Sequence, residues 1–509
     1  MNRFHRRLTC LAGVVLMTLI QLPGGAPAVA EEPATALPPD RLVIHEWGTF
    51  TCLLDETGQA IPGVNTDDEP VPAFVHRISD LIQKPSVLAP VYYKGVPRLH
   101  RQVRMRLETP VIYFHPPANL RQPLFASLQV DFRGGWLTEY YPAAKVSAPG
   151  LGRGDFRFSG LTAQTRGSLE WHDLKIGGDH ALPTTDAQVW LAPREVDAAT
   201  VQAPGGEAEK YLFYRGVGNL PSPITVARSA GNDGLIIRED IPVNLGLKAP
   251  LSIRALWVVH VRSDGQVAYR SLGAAGLTGE AGRELLQTPL DFAGEPPRTK
   301  EQRSGADAGA DRVEISLGQY SGGNLARLRT EMRAELIADG LFRDEADAML
   351  RTWELAYFKS SGLRLFYVLP QQWTNAVLPI KCSLDAEVSR TMVGRIELVT
   401  PQQRSLIRKI GAAPVSETNW FYRQSQEHSG RNDQYAKLWQ GKVSLQDLKF
   451  DVPREYQAYV DLGRFRNALI LDEFTRHPDS GIRRFVNAYR LEYYTAEDGP
   501  DVSDAVINR

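Results

Sequence analysis

Apolar and polar positions change their period along this chain. Leu11 to Ile20 is an apolar stretch behind Arg3, Arg6 and Arg7. It is too short to span a bilayer, and it ends at Pro23-Gly24-Gly25 before an Ala28-Val29-Ala30 cleavage pattern. Residues 1–30 therefore read as a secretory signal peptide cut near Ala30, and the Pro- and Ala-rich 31–40 as a flexible lead-in. From position 41 to 292 strand signals dominate. Val43 to Cys52 is rich in β-formers, and Val103 to Leu107 alternates apolar with basic residues. Two β-rich arms flank Arg262-Ser263-Asp264-Gly265, which predicts a hairpin over Arg254 to Leu272.

Residues 293–312 hold few large apolar side chains and read as a linker or long exposed loop. Beyond them, 313–509, the period becomes helical. Leu325, Leu328, Met332 and Leu336 mark one helix, closed by Gly340. Ala346, Met349, Leu350 and Trp353 mark a second, which Asp344 is placed to cap; Asp344, Glu345 and Asp347 read as acids drawn to a helix N-terminus. Thr400-Pro401-Gln402-Gln403 reads as a capping box opening another helix. Helical signals continue through Glu455 to Thr475 and Gly481 to Tyr489. The expectation is an α+β protein, with a β-rich, sandwich-like N-terminal part and a mixed, mainly helical C-terminal part.

Charge narrows the partners. The 58 basic and 59 acidic residues nearly cancel, and removing three arginines with the signal peptide leaves a net charge of −4. That balance argues against a nucleic-acid partner. Outside the leader no run approaches the length of a transmembrane helix. An exported chain meets an oxidising compartment, where Cys52 and Cys382 can pair; the alternative is two buried thiols.

Nucleophile-elbow, phosphate-loop and zinc-protease motifs do not occur in the chain. The suggestive chemistry lies in His45-Glu46-Trp47-Gly48-Thr49-Phe50, in Asn65-Thr66-Asp67-Asp68-Glu69-Pro70 and in His76, with Glu108 and His115 further on. HEWGTF at 45–50, DDEPVPAFVH at 67–76, RLETPVIYFH at 106–115, LTEYYP at 137–142, YLFYRGVGN at 211–219, GLRLFYVLP at 362–370 and VGRIELVTP at 393–401 resemble a family of uncharacterised secreted bacterial proteins. The resemblance spans most of the mature chain and implies secretion and a full-length architecture, with no activity attached.

Three readings of the acidic and histidine segment stand side by side. Asn65, Asp67 and Glu69 at alternate positions can offer oxygens to calcium, although Pro70 stands where an EF-hand has its glycine. His45 or His76 with Glu46, Asp67 or Asp68 can hold zinc, and an open coordination position would then activate water. Or the acids form a solvated loop. On a strand, His45 and Glu46 point to opposite faces and cannot share a pocket without a bulge. The site reading gains sharply if the fold gathers at least three of His45, Glu46, Asp67, Asp68, Glu69, His76, Glu108 and His115 within about 5 Å of one point. A second surface, Trp136, Glu139, Tyr140 and Tyr141, can contact a carbohydrate if its rings are exposed; packed rings are the alternative. Trp353, Trp373, Trp420 and Trp439 read as packing residues.

Two function classes follow. One is a secreted or periplasmic binding or structural protein with a glycan or envelope partner and a cation site near its mature N-terminus. The other is an extracytoplasmic metal-dependent or carboxylate-based hydrolase. There, Glu46, Asp67 or Asp68 is base or ligand, and His45 or His76 is ligand or proton shuttle.

Overall fold

The Leu42–Leu54 strand is buried along its whole length, and its side chains alternate between two apolar clusters. Ile44, Phe50 and Cys52 enter one cluster, and Trp47 enters the other. Its neighbours repeat the pattern. Ile112 and Phe114 oppose Val111 and Tyr113; Leu363 and Leu365 oppose Phe366 and Val368. Both faces of this sheet are covered, so its central strands read as nearly continuous β-formers rather than as an alternation of apolar and polar residues.

The structure is a computed structural model. It describes residues 41–66, 71–81, 92–119, 122–149, 158, 160–228, 234–239, 247, 253–272, 283–287, 311–315, 320–414, 454–489, 491–495 and 506–507. The expected signal peptide and lead-in lie outside these residues. Sixteen strands of the described residues join one mixed sheet. Its centre runs, in spatial order, Gly135–Tyr141, Leu212–Gly218, Met105–His115, Leu42–Leu54, Ala386–Leu398, Gly362–Val368 and Leu256–Val261. The fold is α+β, with the large sheet mostly from the N-terminal part and helices mostly from the C-terminal part.

The expected boundary at 293–312 does not divide the sheet. Leu42–Leu54 lies parallel to Ala386–Leu398, with Leu42 opposite Ala386 and Leu54 opposite Leu398. Strands from both sides of the boundary therefore share hydrogen bonds, and Leu37–Arg509 forms one compact unit. Residues 293–310 lie outside the described residues; Asp311 and Arg312 open the Asp311–Ile315 strand, which pairs in parallel with Arg283–Gln287.

Local chemistry explains several elements. The Leu256–Val261 and Val267–Ser271 strands pair antiparallel across Gly265, which takes φ +80°, as the Asp-Gly turn predicts. Against Met105–His115, the register of the Leu42–Leu54 strand shifts between Trp47 and Thr49, where Thr109 takes φ +45°. A Cβ on Gly48 would lie 2.9 Å from Pro110 Cγ, so this bulge leaves room only for glycine.

The helical hairpin comprises Gly322–Ala338 and Arg343–Thr352. Leu328, Met332 and Leu336, one turn apart, enter the same cluster as Trp47 and Tyr113. Ser321 Oγ caps the first helix by accepting from the Gly323 N–H at 3.1 Å. The second helix corrects the expected cap. Phe342 is its N-cap residue, Asp344 instead accepts from the Asp197 N–H at 2.8 Å, and Glu345 reaches back to accept from the Phe342 N–H at 2.7 Å. At Thr400 the box is complete: Gln403 N–H donates to Thr400 Oγ1 and Thr400 N–H to Gln403 Oε1, at 3.2 and 2.9 Å. Helices Arg454–Asp461, Arg466–Arg476 and Ile482–Ala488 follow and pack into the first cluster. Trp353 and Trp373 are buried, as packing residues should be; Trp420 and Trp439 lie outside the described residues. Among the described residues, no helix is long and apolar enough to cross a membrane.

Of the two readings of the cysteines, free thiols hold. Cys52 and Cys382 are both free. Cys52 sits in the sheet between Met105 and Ile396, whereas Cys382 pairs with Leu128 of the Leu124–Arg133 strand. Burial pushes the Cys52 thiol up to about 12, which keeps it protonated and unreactive. Iodoacetamide is therefore expected to label Cys382 but not Cys52 in the folded mature chain. Unfolding without reductant should expose two labelling sites, read by intact mass; no label under that condition would mean that the cysteines are paired.

Candidate functional site

The pairing of two strands brings two histidines together. In the antiparallel register, Val43 stands opposite His115 and His45 opposite Tyr113. Residues 43, 45, 113 and 115 share one face, which makes His45 and His115 diagonal neighbours. Their ring centroids are 5.2 Å apart. The face they share is the one on which the helical hairpin packs, and the hairpin supplies a third group.

Glu345 stands in the first turn of the Arg343–Thr352 helix. Its Oε2 lies 2.7 Å from His45 Nδ1, and its Oε1 lies 3.0 Å from His115 Nε2. The same Oε2 accepts from the Phe342 N–H. All three side chains are buried, Glu345 completely. The Phe342 ring packs against both imidazoles, with centroids at 4.5 and 4.9 Å. For both imidazoles to donate to the carboxylate, His45 carries its proton on Nδ1 and His115 on Nε2. Burial alone would raise the Glu345 pKa. Hydrogen bonds from His115 and His45 hold it below the usual carboxylate value instead. Among the described residues, the three ligand-capable atoms of His45, His115 and Glu345 lie within 4.8 Å of one another.

Other residues singled out by sequence are placed elsewhere. Glu46 faces the opposite side of the sheet, where it accepts from Tyr214 Oη at 2.5 Å and Arg390 Nε at 2.6 Å. Asn65 is not aimed at an ion: its Nδ2 donates to Pro97 O at 2.7 Å and its Oδ1 accepts from the His100 N–H. Both ends of its amide are consumed in holding a loop. Asp67, Asp68 and Glu69 lie outside the described residues. His76 stands opposite Tyr140, with Nε2 2.9 and 3.0 Å from the two oxygens of Glu207. Four strand spacings, on the order of 19 Å, separate it from His45. His45 and His76 therefore do not share a site.

Of the two readings of the aromatic surface, packed rings hold. Trp136 is fully buried, with Nε1 donating to Pro149 O at 2.8 Å. Tyr140 and Tyr141 are buried, and Glu139 is held by Arg77 and Arg215. These rings offer no face to a sugar because the covered sheet consumes them as packing.

Of the eight groups from which a site was expected to form, the described residues gather His45 and His115 at one point. The third member, Glu345, was read in sequence only as an acid favoured by a helix dipole. That reading is physically sound but incomplete. The available signal was a glutamate at the third helical position, where its carboxylate caps the backbone while one oxygen remains free for another partner.

A buried ionic cluster lies elsewhere in the sheet. Glu108 is 2.9 Å from Arg106 and 3.3 Å from Arg464. Glu397 contacts both Arg364 and Arg395.

The fold and site define an α+β protein with a buried His–Glu–His cluster joining a sheet to a helical hairpin. Comparison finds no matching family model and no matching curated protein. Among solved structures, the chain is similar to the Fcho1 Mu homology domain of Danio rerio with bound Eps15 peptide, at 7% identity and a TM-score of 0.24, covering 71% of this chain and 96% of that one. A likeness at that level carries no argument about fold or function.

The ionic cluster predicts acid sensitivity. Burial opposes the Glu108 charge, but Arg106, Arg464, Lys94 and Arg395 overcome it and hold the carboxyl down to about 2. A carboxylate lowered on folding contributes stability that is complete above its unfolded pKa, about 4.3, and is lost as pH falls toward the folded value. Urea unfolding between pH 7 and 2 should show that loss. Glu108→Gln should remove this part of the slope and cost about 3–5 kcal/mol at neutral pH by leaving buried cations uncompensated. Parallel stability curves for wild type and variant would refute the assignment.

Proposed function

We propose that this chain is an exported, envelope-associated protein with a binding or structural role, and that His45, Glu345 and His115 pin its helical hairpin to the sheet. The export part of the reading comes from residues 1–30. The pin is supported by one observation: a fully buried carboxylate on the hairpin accepts from two histidines on adjacent sheet strands and from the backbone at its own helix start.

Burying a carboxylate costs several kcal/mol unless its lone pairs are satisfied. Here its partners come from three places in the chain, so the charge is satisfied only when the hairpin is docked in one orientation. The apolar contacts of Leu328, Met332 and Leu336 supply non-directional attraction. The hydrogen bonds supply register. A scaffold role is favoured because all three polar groups face one another and are committed to protein partners.

Two measurements test this reading. Material recovered from the export compartment should have an intact mass beginning at Glu31; a chain retaining residues 1–30 would overturn the export reading. A double-mutant cycle of His45→Ala and Glu345→Gln, followed by urea unfolding, should give a coupling energy of about 1–3 kcal/mol. Additive effects would show that the contact does not pin the hairpin.

A further inference from the structure

We infer that His45, His115 and Glu345 form a binding site for one divalent transition metal, with zinc as the reference ion. This names the ligand of the cluster described above as a pin, and it rests on that reading for the position of the hairpin.

The donor set carries the first part of the argument. Two imidazole nitrogens and one carboxylate oxygen suit zinc, cobalt, nickel or iron. Calcium takes six to eight oxygens and has no use for imidazole. Sequence placed a cation among Asn65, Asp67 and Glu69, or with His45 or His76 beside Glu46, Asp67 or Asp68; Asn65, His76 and Glu46 have other partners, and His45 remains. The ligands that the fold gathers are nitrogen-rich, and they come from positions 45, 115 and 345.

Geometry carries the second part. The contacts of 2.7 and 3.0 Å are hydrogen bonds. A tetrahedral zinc ion with bonds of roughly 2.0–2.1 Å holds its ligand atoms about 3.3 Å apart. The two contacts engage different carboxylate oxygens, so to admit the ion one imidazole shifts toward the liganding oxygen and the ligand atoms, which lie within 4.8 Å of one another, draw in toward that spacing. Two ligands sit on adjacent strands of a sheet covered on both faces, and the third sits in the first turn of a packed helix. Rigid elements of this kind hold ligands to the tolerance a metal requires.

Binding requires each imidazole in its neutral form, and any imidazolium proton leaves to solvent as the ion enters. Each neutral imidazole presents its lone pair to the ion by shifting its proton to the other ring nitrogen, Nε2 of His45 and Nδ1 of His115. Glu345 binds as the carboxylate it already is. The Phe342 N–H stays on Oε2 and orients that carboxylate as an outer partner. The Phe342 ring, against both imidazoles, limits water at the site. Three protein ligands leave one tetrahedral position for a water molecule. Bound metal would bridge sheet and hairpin and stabilise the docked state in proportion to its occupancy.

The test uses the mature chain, stripped with a chelator and titrated with zinc alone by calorimetry, and with cobalt alone by visible absorption. The expected result is one zinc per chain, a raised Tm and an intense four-coordinate cobalt spectrum. His115→Gln and Glu345→Gln should each weaken zinc binding by about 100-fold or more, whereas His76→Gln should not. If those variants do not fold, X-ray absorption of the zinc-loaded wild type decides: two imidazoles per zinc support the site, and fewer overturn it. No zinc binding by a wild type that retains His45–Glu345 coupling would overturn the metal site and leave the pin. Zinc binding together with additive effects in the mutant cycle would overturn the pin and leave the metal. Equal affinity in wild type and His115→Gln would place the zinc elsewhere and overturn the assignment.

Discussion

The parallel pairing of Leu42–Leu54 with Ala386–Leu398 is the contact on which the rest of the structure depends. It puts the first described strand in the middle of the sheet, with a neighbour on each side and an apolar layer on each face. No polar side chain on that strand then has water to turn to. Each must meet a protein partner or carry an unpaid desolvation cost. The partners follow from the register. Glu46 stands directly opposite Arg390 and is held by its guanidinium, while His45, pointing the other way, meets Glu345. Thr49, on the same face as His45, meets the Tyr357 hydroxyl.

The same constraint makes Glu345 serve two elements at once. It completes the start of its own helix and receives the histidines of the sheet. A capping carboxylate is ordinarily a local device worth about 1 kcal/mol to one helix. Placed at a sheet–helix contact, it becomes a long-range one, because its second oxygen and second lone pair are satisfied by residues 230 and 300 positions away. Local helix chemistry thus positions a group whose importance is tertiary, and the His–Glu–His geometry follows from a helix start meeting two strands at one height.

Much of the architecture was legible in the residues. The hairpin across Gly265, the two helices ending and restarting around Gly340, and the box at Thr400 each rest on interactions within a few positions, where turn chemistry and periodicity decide the outcome. The alternatives that the residues left open required knowledge of what lay opposite. Trp136 and Tyr140 look the same in sequence whether stacked on a sugar or packed in a core. Cys52 and Cys382 could be imagined as partners until the strands placed one beside Met105 and the other beside Leu128.

The chain by itself determined the α+β class, the local turns and caps, and the opposite facing of His45 and Glu46, because these follow from backbone geometry and side-chain period. Only the tertiary structure decided that His115 joins His45, that His76 does not, and that Glu345 completes the group. Strand register and helix docking are set by cooperative burial across hundreds of residues, and no spacing along the chain encodes which buried donor will meet which acceptor.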